Sequence, residues 1–229
     1  FRLLCIRYLV ARGWTWFGEE IAADRGHRSD EYLRTGDESL LDPVEEPPWF
    51  TRGILANDRQ PDAALDAEQR RFLQAVRRVA PTARWFGFDA DSSNTEYLEL
   101  ANEADTYEEL RPAMAVRERI MHAHVESVLR DHPDDKVALM AGSLHLMKDD
   151  DAVNAPGVGA GPGGDTDRSI GHHVAHELTD RPVLSLWLLH GEGTSANPWL
   201  PPPARLQPQA GTFDAALLAR VGAPCIVRV

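Results

Sequence analysis

The chain has 229 residues, of which 43% are hydrophobic and 26% are charged, as in an ordinary globular protein. This length suffices for a full core, so we expect a single domain over residues 1–229. The 24 basic and 36 acidic side chains give a net charge of −12. That charge argues against nucleic acid and against an anionic membrane surface as partners.

The longest largely apolar run, residues 183–189, is far too short to span a bilayer, and no signal peptide is visible. We therefore expect a cytoplasmic protein that has no membrane partner. Because Phe1 is not a start residue, the sequence is expected to be a piece of a longer chain. Cys5 and Cys225 lie at opposite ends. Two reduced thiols are favoured, and a disulfide between the termini is the alternative.

A helix and a strand are predicted at the start of the chain. Apolar residues at helical spacing predict a helix over residues 1–12 that ends at Gly13. Residues 14–18 (WTWFG) are aromatic and predict a buried strand. The adjacent carboxylates Glu19 and Glu20 follow, and their ordinary role is the acidic start of a helix, here predicted over residues 22–33.

An irregular segment is predicted over residues 37–62, which contain four prolines and the aromatic pair Trp49 and Phe50. A loop of this length inside a compact domain is usually functional or mobile. The two aromatic side chains either pack on the body of the domain or form a lid over a pocket beside Glu20.

Helices and strands alternate through the middle of the chain. Residues 63–79 predict a helix, and residues 85–88 (WFGF) predict a strand that ends at Asp89. An Asp at this place is typical of an Asx turn or of a helix cap. Residues 96–110 predict an acidic helix, and residues 114–130, after a proline, predict a long one.

The long helix carries candidate functional side chains. The guanidinium of Arg117 suits a carboxylate or an oxyanion, and a surface arginine is the alternative. Glu118 and His122 share a helix face, which makes a metal pair conceivable, whereas His122 and His124 do not share one.

The next strand ends at a candidate site. Residues 137–141 (VALMA) predict a buried strand, which breaks at Gly142 and Ser143 and is followed by His145. In open α/β sheets, ligands bind outside the carboxyl ends of the strands. His145 is therefore either a site residue at the rim of the sheet or an ordinary loop histidine.

The last third of the chain contains a second loop insertion, residues 150–166, whose Gly/Pro-rich tract over residues 155–164 predicts a flexible segment. His172 and His176 have the spacing of two metal ligands on one helix, but no HExxH pattern is present. We favour histidines without a metal. Strands are predicted over residues 182–189 and 225–229, with an extended connection over residues 197–208 and a helix over residues 213–221 between them.

Because strands alternate with helices, the predicted fold class is α/β, with a central mostly parallel or mixed sheet flanked by helices. The sequence contains no P-loop, no GxGxxG after a strand and no GxSxG motif.

Two of these segments resemble the erythromycin esterase family. The family's R-(D/E)-x-x-M helix is similar to residues 117–121 (RERIM), and its A-H-N-x-H strand end is similar to residues 141–145 (AGSLH). Gly142 and Ser143 replace the first His and the Asn of that motif, and His145 keeps the second His. The A-G-S-x-H form is closer to the ChaN-like haem-binding proteins, which resemble the esterases in fold.

Further matches follow the family's order. Its G-F-x-x-x-x-x-E motif, with a later Tyr and Gly, is similar to residues 13–20 with Tyr32 and Gly36, and its G-F-D strand end is similar to residues 87–89. Its S-x-G is similar to residues 169–171, and its Gly-Glu-Gly turn is similar to residues 191–193. The first match selects Glu20 rather than Glu19 as the carboxylate of the site. The family's G-E-x-T-H motif, with its main catalytic His, is expected a few residues before Phe1.

The resemblance implies hydrolysis of a small-molecule ester by water that a His base activates, without a covalent enzyme intermediate. We expect neither a metal nor another cofactor. Glu20 would orient or tune that base, and Arg117 and His145 would hold the developing oxyanion or the substrate. Asp89, with Gly142 and Ser143, would bind the substrate. A ChaN-like protein that holds haem or another ligand, and a catalytically inactive member of the superfamily, are the alternatives.

Overall fold

The computed structural model describes residues 2–42, 63–141 and 170–178, and four short strands at residues 186–188, 193–195, 204–206 and 226–228. The chain divides into two compact units, Phe1–Leu178 and Thr179–Val229. A parallel sheet and the helices around it lie in the first unit, which confirms the predicted α/β fold class. The assignment of residues 1–229 to one domain stays a prediction.

Three parallel strands form this sheet in the order β2-β1-β3: β1 Trp14–Ala22, β2 Arg84–Asp89 and β3 Lys136–Met140. Glu19 of β1 is in register with Gly87 of β2 and with Met140 of β3. The carboxyl ends of the strands therefore meet at one edge of the sheet. The strands predicted over residues 85–88 and 137–141 are confirmed to within one residue at each end.

The described helices of the first unit are α1 Arg2–Val10, α2 Ala23–Thr35, α3 Ala63–Val79, α4 Thr95–Glu103, α5 Tyr107–Asp131 and α6 Ile170–His173, which continues as π-helix over Val174–Leu178. The predicted bounds of α3 are confirmed. Phe72, Leu73 and Val76 recur on one of its faces and pack in the core. Gly13 adopts a φ of +78° between α1 and β1, a conformation that favours glycine.

Two hydrophobic clusters hold the helices in place. The first joins β1 and β2 to α1, α2 and α3, and its buried members include Ile6, Phe17, Leu33, Val76 and Trp85. The second joins α4 to α5 around Tyr97, Leu98, Leu110 and Val116. Each large apolar side chain that is fully buried contributes roughly 1.5–3 kcal/mol to folding. Both clusters position elements that carry candidate site residues.

Strand β1 is longer than its sequence predicts. The expectation that it ends at Gly18 is wrong, because Glu19 and Glu20 continue the strand to Ala22. Glu19 tolerates burial because its carboxylate accepts hydrogen bonds from Gln69 Nε2 (3.1 Å) and Trp85 Nε1 (3.2 Å). It also forms an ion pair with Arg2.

The boundary between α4 and α5 also differs from the prediction. The chain breaks at residues 104–106 rather than at Pro112, and α5 begins at Tyr107. Thr106 and Glu109 form a capping box, in which Thr106 Oγ1 accepts from the Glu109 N–H (3.3 Å) and Glu109 Oε2 accepts from the Thr106 N–H (3.1 Å). Pro112 lies inside α5 near its start, where its missing N–H costs the helix a single backbone hydrogen bond.

Helix α2 lies directly along the outer side of β2. A Cβ atom on Gly26 would stand 1.7 Å from the backbone nitrogen of Gly87, so the helix approaches the strand as closely as only glycine permits. Asp30 Oδ1 accepts a hydrogen bond from the Trp85 backbone N–H (2.9 Å), and both Asp30 oxygens bind the Arg84 guanidinium (2.9 Å each). The side of β2 that faces away from β1 thus bonds to a helix.

The second unit contains two antiparallel pairs: β4 Leu186–Leu188 with β7 Ile226–Arg228, and β5 Gly193–Ser195 with β6 Ala204–Leu206. The strands β4 and β7 lie within the predicted strands at residues 182–189 and 225–229. Strand β6 lies in the segment 197–208, where only an extended connection was predicted. The predicted helix over residues 213–221 lies outside the described residues.

The first loop insertion is partly structured. Its residues Glu38–Leu41 form a short 3₁₀ helix that Asp37 caps by accepting from the Ser39 N–H (3.0 Å), so the predicted irregular segment begins with one regular turn. Residues 43–62, with Trp49 and Phe50, and the second insertion at residues 150–166 lie outside the described residues.

Cys5 in α1 is a free thiol, and Cys225 lies outside the described residues. None of the helices in the described part of the chain combines the length and the hydropathy that a membrane span requires.

The contact of α2 with β2 predicts a large stability difference between two Gly→Ala substitutions. Gly26→Ala should lower the free energy of unfolding by more than about 3 kcal/mol, because the clash with Gly87 outweighs the roughly 1 kcal/mol of added helix propensity. Gly13→Ala introduces the same methyl group at positive φ, but its nearest neighbour lies 4.0 Å away, so its cost should be about 1–2 kcal/mol. Urea unfolding followed by tryptophan fluorescence measures both, and equal costs would contradict the close approach.

Candidate functional site

Three of the predicted site residues meet at the carboxyl edge of the sheet. Glu20 lies near the end of β1, Asp89 is the last residue of β2, and Arg117 lies in α5. Arg117 donates from Nε to Asp89 Oδ1 (2.7 Å) and from Nη2 to Asp89 Oδ2 (2.6 Å). Its Nη2 also donates to Glu20 Oε1 (2.8 Å). Glu20, Asp89 and Arg117 therefore lie together at this edge of the sheet, and their roles in a site stay predictions.

The cluster is shielded from solvent and carries a net negative charge. The side chains of Arg117, Glu20 and Asp89 are 14%, 22% and 11% exposed. Burial by itself lowers the pKa of Arg117, but the hydrogen bonds and charge of Asp89 and the charge of Glu20 outweigh it and raise that pKa above its usual range. Arg117 therefore stays protonated, and one guanidinium beside two carboxyl groups gives the cluster a formal charge of −1.

Asp89 forms neither the Asx turn nor the helix cap that are typical of an Asp at this place. Its Oδ1 accepts from the Ala90 N–H (2.7 Å), a local turn contact, while both of its oxygens hold the fork of Arg117. The Asx turn is formed two residues later, where Asp91 Oδ1 accepts from the Ser93 N–H (2.9 Å). Asp89 thus positions Arg117, and it does so from the end of a strand whose backbone is fixed by β1.

Tyr97 is a neighbour of the site that the sequence did not single out. It lies on α4, its side chain is buried, and its electrostatic interaction is one of the smaller effects that raise the pKa of Arg117. In the sequence it was one of several residues at helical spacing on the inner face of an acidic helix. A polar hydroxyl at one of those inner positions was the only available signal.

The remaining predicted site residues, Gly142, Ser143 and His145, lie outside the described residues. Their strand is nevertheless placed, because Met140 at the end of β3 is in register with Glu19. The chain therefore leaves β3 at the same edge of the sheet as Glu20. Whether His145 joins the cluster stays a prediction.

The histidines form a second group, between α5 and α6. The rings of His122 and His173 stack with centroids 4.3 Å apart and an interplanar angle of 9°. Glu118 Oε2 lies 3.9 Å from His122 Nε2, and His173 Nδ1 lies 2.8 Å from Glu177 Oε2. His124 instead contacts the Phe88 carbonyl oxygen (3.2 Å), which confirms that it does not share a face with His122.

Two pairs of these side chains, Glu118 with His122 and His172 with His176, have the sequence spacing of metal ligands on one helix face. The rings of His172 and His176 lie 4.4 Å apart, so the two side chains are neighbours on their helix. Within the described parts of the chain, no three or more His, Cys, Asp or Glu side chains are grouped in a way that could hold a metal ion.

The cluster contains one fixed cation and two carboxylates that bind it through different numbers of oxygen atoms. Asp89 binds Arg117 through both oxygens, whereas Glu20 binds it through Oε1. Within the described part of the chain, Nη1 of Arg117 donates no hydrogen bond, so its two N–H groups are the remaining donors of a guanidinium that is already oriented. Such a donor can stabilise an oxyanion, and a carboxylate such as Glu20 can orient a base.

Comparison with protein-family models, with curated proteins and with solved structures finds no match for this chain.

The site predicts unequal effects for two arginines of α5. Arg117→Met should lower the free energy of unfolding by about 3–5 kcal/mol, because it leaves Asp89 and Glu20 shielded from water without their cation. Arg119→Met, two residues away, removes an ion pair to Glu96 whose partners are 61% and 68% exposed. It should cost less than about 1 kcal/mol. Urea unfolding of both variants tests this, and an Arg117→Met cost as small as that of Arg119→Met would contradict the role of the cluster.

Proposed function

We propose that this protein is an ester hydrolase of the erythromycin esterase type, in which a His base activates water. One observation supports this most strongly: Glu20 and Asp89, selected from two separate motifs, both accept hydrogen bonds from Arg117, which was selected from a third. Arg117 is separated from its two partners by 97 and 28 positions in sequence. Local sequence pattern does not impose contacts at such separations.

The location of the cluster supports the same proposal. Ligands of open α/β sheets bind at the carboxyl ends of the strands, and Glu20 and Asp89 lie at the carboxyl ends of two adjacent parallel strands. The chain that leads to His145 leaves β3 at this edge as well. A substrate at this edge would thus be close to the segments that carry the proposed catalytic residues.

In the proposed reaction, the oxygen of a water molecule adds to the ester carbonyl carbon while a His takes one of the water protons. The resemblance places this His in a G-E-x-T-H motif ahead of Phe1, and Glu20 orients its imidazole. The intermediate carries its negative charge on the former carbonyl oxygen. The bond to the alcohol oxygen then breaks, and the His returns its proton to the leaving alcohol, which yields a carboxylic acid and an alcohol.

Arg117 has the role of the oxyanion donor in this scheme. Its fork is held by both oxygens of Asp89, so it does not have to reorganise as charge develops on the substrate. In the proposal, the N–H groups at Nη1 donate to the oxyanion, and His145 is the second donor. In this scheme Asp89 positions Arg117, and Gly142 and Ser143 contact the substrate.

The proposal predicts that Glu20→Gln slows ester hydrolysis by about 10²–10⁴-fold in kcat, the range that general-base assistance contributes. Folding should be preserved, because Arg117 keeps its two bonds to Asp89. Glu96→Gln, the same substitution at an exposed position of α4, should leave kcat within about twofold. The assay uses the longest natural form of the protein with nitrophenyl esters of increasing acyl size and a macrocyclic lactone, and thermal unfolding of each variant checks its folding.

Full activity of a folded Glu20→Gln variant would refute the assigned role of Glu20. If the wild-type protein hydrolyses none of the esters, haem is added to the same samples. A Soret band that appears with the wild-type protein and is lost in His145→Ala would replace the esterase proposal with the haem-binding alternative. Absence of both responses would support a catalytically inactive protein.

A further inference from the structure

The exposed apolar side chains of the first unit are concentrated on two helices. Among the described residues, the large hydrophobic side chains that are exposed are Leu4 (67%) and Tyr8 (56%) of α1 and Val79 (39%) of α3. Single exposed apolar residues are common on protein surfaces, but three on one pair of helices indicate a contact surface. Leu4 and Tyr8 are four positions apart and therefore share one face of α1.

Helices α1 and α3 are neighbours in one layer. Both pack on the core cluster that contains Ile6 and Val76, and the Arg2 guanidinium of α1 lies 4.2 Å from the centre of the Phe72 ring of α3. Helix α1 leads into β1 and α3 leads into β2, and these strands are parallel. The two helices therefore end at the same edge of the sheet, the amino edge.

Arginines accompany these apolar side chains. Arg7 of α1 and Arg71 and Arg78 of α3 are exposed. Arg71 and Arg78 are seven positions apart, about two helical turns, so they share one face of α3. Within the described part of the chain, these three guanidinium groups form neither an ion pair nor a hydrogen bond. We call the exposed apolar residues and these arginines together the α1–α3 surface: Leu4, Arg7, Tyr8, Arg71, Arg78 and Val79.

Helix stability explains part of this composition. Arg7 and Arg78 lie in the last turns of α1 and α3, where the helix dipole favours a cation. Arg71 lies in the middle of α3, where the dipole does not favour it. The dipole also gives no reason for Leu4 and Tyr8 to be exposed. The α1–α3 surface therefore contains more than its helix ends require.

The α1–α3 surface is positive in an acidic chain. Glu68, three positions before Arg71, is an exposed acidic neighbour on α3. Three guanidinium groups against this carboxylate give a net charge of +2, so the rest of a chain whose total is −12 carries −14. That remainder repels a broad anionic surface such as a membrane, whereas a narrow acidic segment contacts the positive residues alone. The charge distribution therefore favours a segment of an acidic protein as the partner.

From these observations we infer that the α1–α3 surface docks an acidic amphipathic helix of a partner protein. The apolar side chains of that helix pack on Leu4, Tyr8 and Val79, and its carboxylates accept hydrogen bonds from Arg71 and Arg78. Arginine and tyrosine are enriched in protein interfaces, and a planar guanidinium matches a carboxylate. An amphipathic helix presents an apolar stripe flanked by charged side chains, which is the combination that this surface complements. Docking here does not depend on ester hydrolysis at the cluster of Glu20, Asp89 and Arg117.

The test is fluorescence anisotropy of two labelled peptides that are titrated with the longest natural form of the protein. One peptide carries Leu and Glu at the spacing of an amphipathic helix of about four turns, and the other carries Gln in place of each Glu. We expect saturable binding of the Glu peptide and at least tenfold weaker binding of the Gln peptide. Added salt should weaken the binding of the Glu peptide, because it screens exposed charges.

Variants of the protein test the location. The double substitution Arg71→Gln with Arg78→Gln should weaken binding of the Glu peptide by about tenfold, and Leu4→Gln should weaken it by about fivefold. The matched control is Arg119→Gln with Arg130→Gln. It removes the same charge from two arginines of α5 that are 61% and 67% exposed, and it should leave the affinity within about twofold.

No saturable binding of the Glu peptide, equal affinity for the two peptides, or equal losses in the Arg71/Arg78 and control variants would each overturn the inference. Sedimentation of the protein with phosphatidylserine vesicles, without binding of the Glu peptide, would overturn it in favour of a lipid headgroup. Thermal unfolding checks the folding of each variant. Arg71 and Arg78 are exposed, so their replacement leaves the core intact.

Discussion

A carboxylate that is shielded from water persists in a fold only where partners compensate its charge, and β1 carries a buried one, Glu19, followed by a partly buried one, Glu20. Because successive residues of a strand point to opposite faces, Glu19 and Glu20 place this demand on both sides of the sheet. Glu19 is met by Arg2 of α1, Gln69 of α3 and Trp85 of β2. Glu20 is met by Arg117 of α5, which Asp89 of β2 also holds. The helices on the two faces are therefore linked to the same two residues of the central strand, and the candidate site is part of what holds the layers together.

This arrangement explains which features were predictable. The bounds of helix α3 could be predicted from its own periodicity, because Phe72, Leu73 and Val76 mark its buried face within a short stretch of sequence. The choice of Glu20, Asp89 and Arg117 as site residues came from a resemblance rather than from spacing. The length of β1 was missed because two adjacent acids look like a solvated helix start, and the side chains that compensate Glu19 come from elements far away in sequence. At the α4–α5 boundary a local signal did exist, the Thr106–Glu109 capping box, but Pro112 was given more weight.

Other features had no local signal at all. Asp30 accepts the Trp85 N–H across 55 positions, and both of its oxygens also hold the Arg84 guanidinium. The sequence of α2 does not show these contacts, because both partners lie on a strand far from the helix along the chain.

The docking of α2 against β2 has a consequence for the behaviour of the protein at high concentration. A strand edge with available N–H and C=O groups is a template onto which a strand of another molecule can add, and such pairing leads to aggregation. Gly26 allows α2 to lie so close to β2 that no further strand fits between them, and Asp30 occupies the Trp85 N–H. Intermolecular β-pairing at this edge thus requires α2 to detach first. Detachment of a single helix, rather than global unfolding, is then the event that controls self-association at β2.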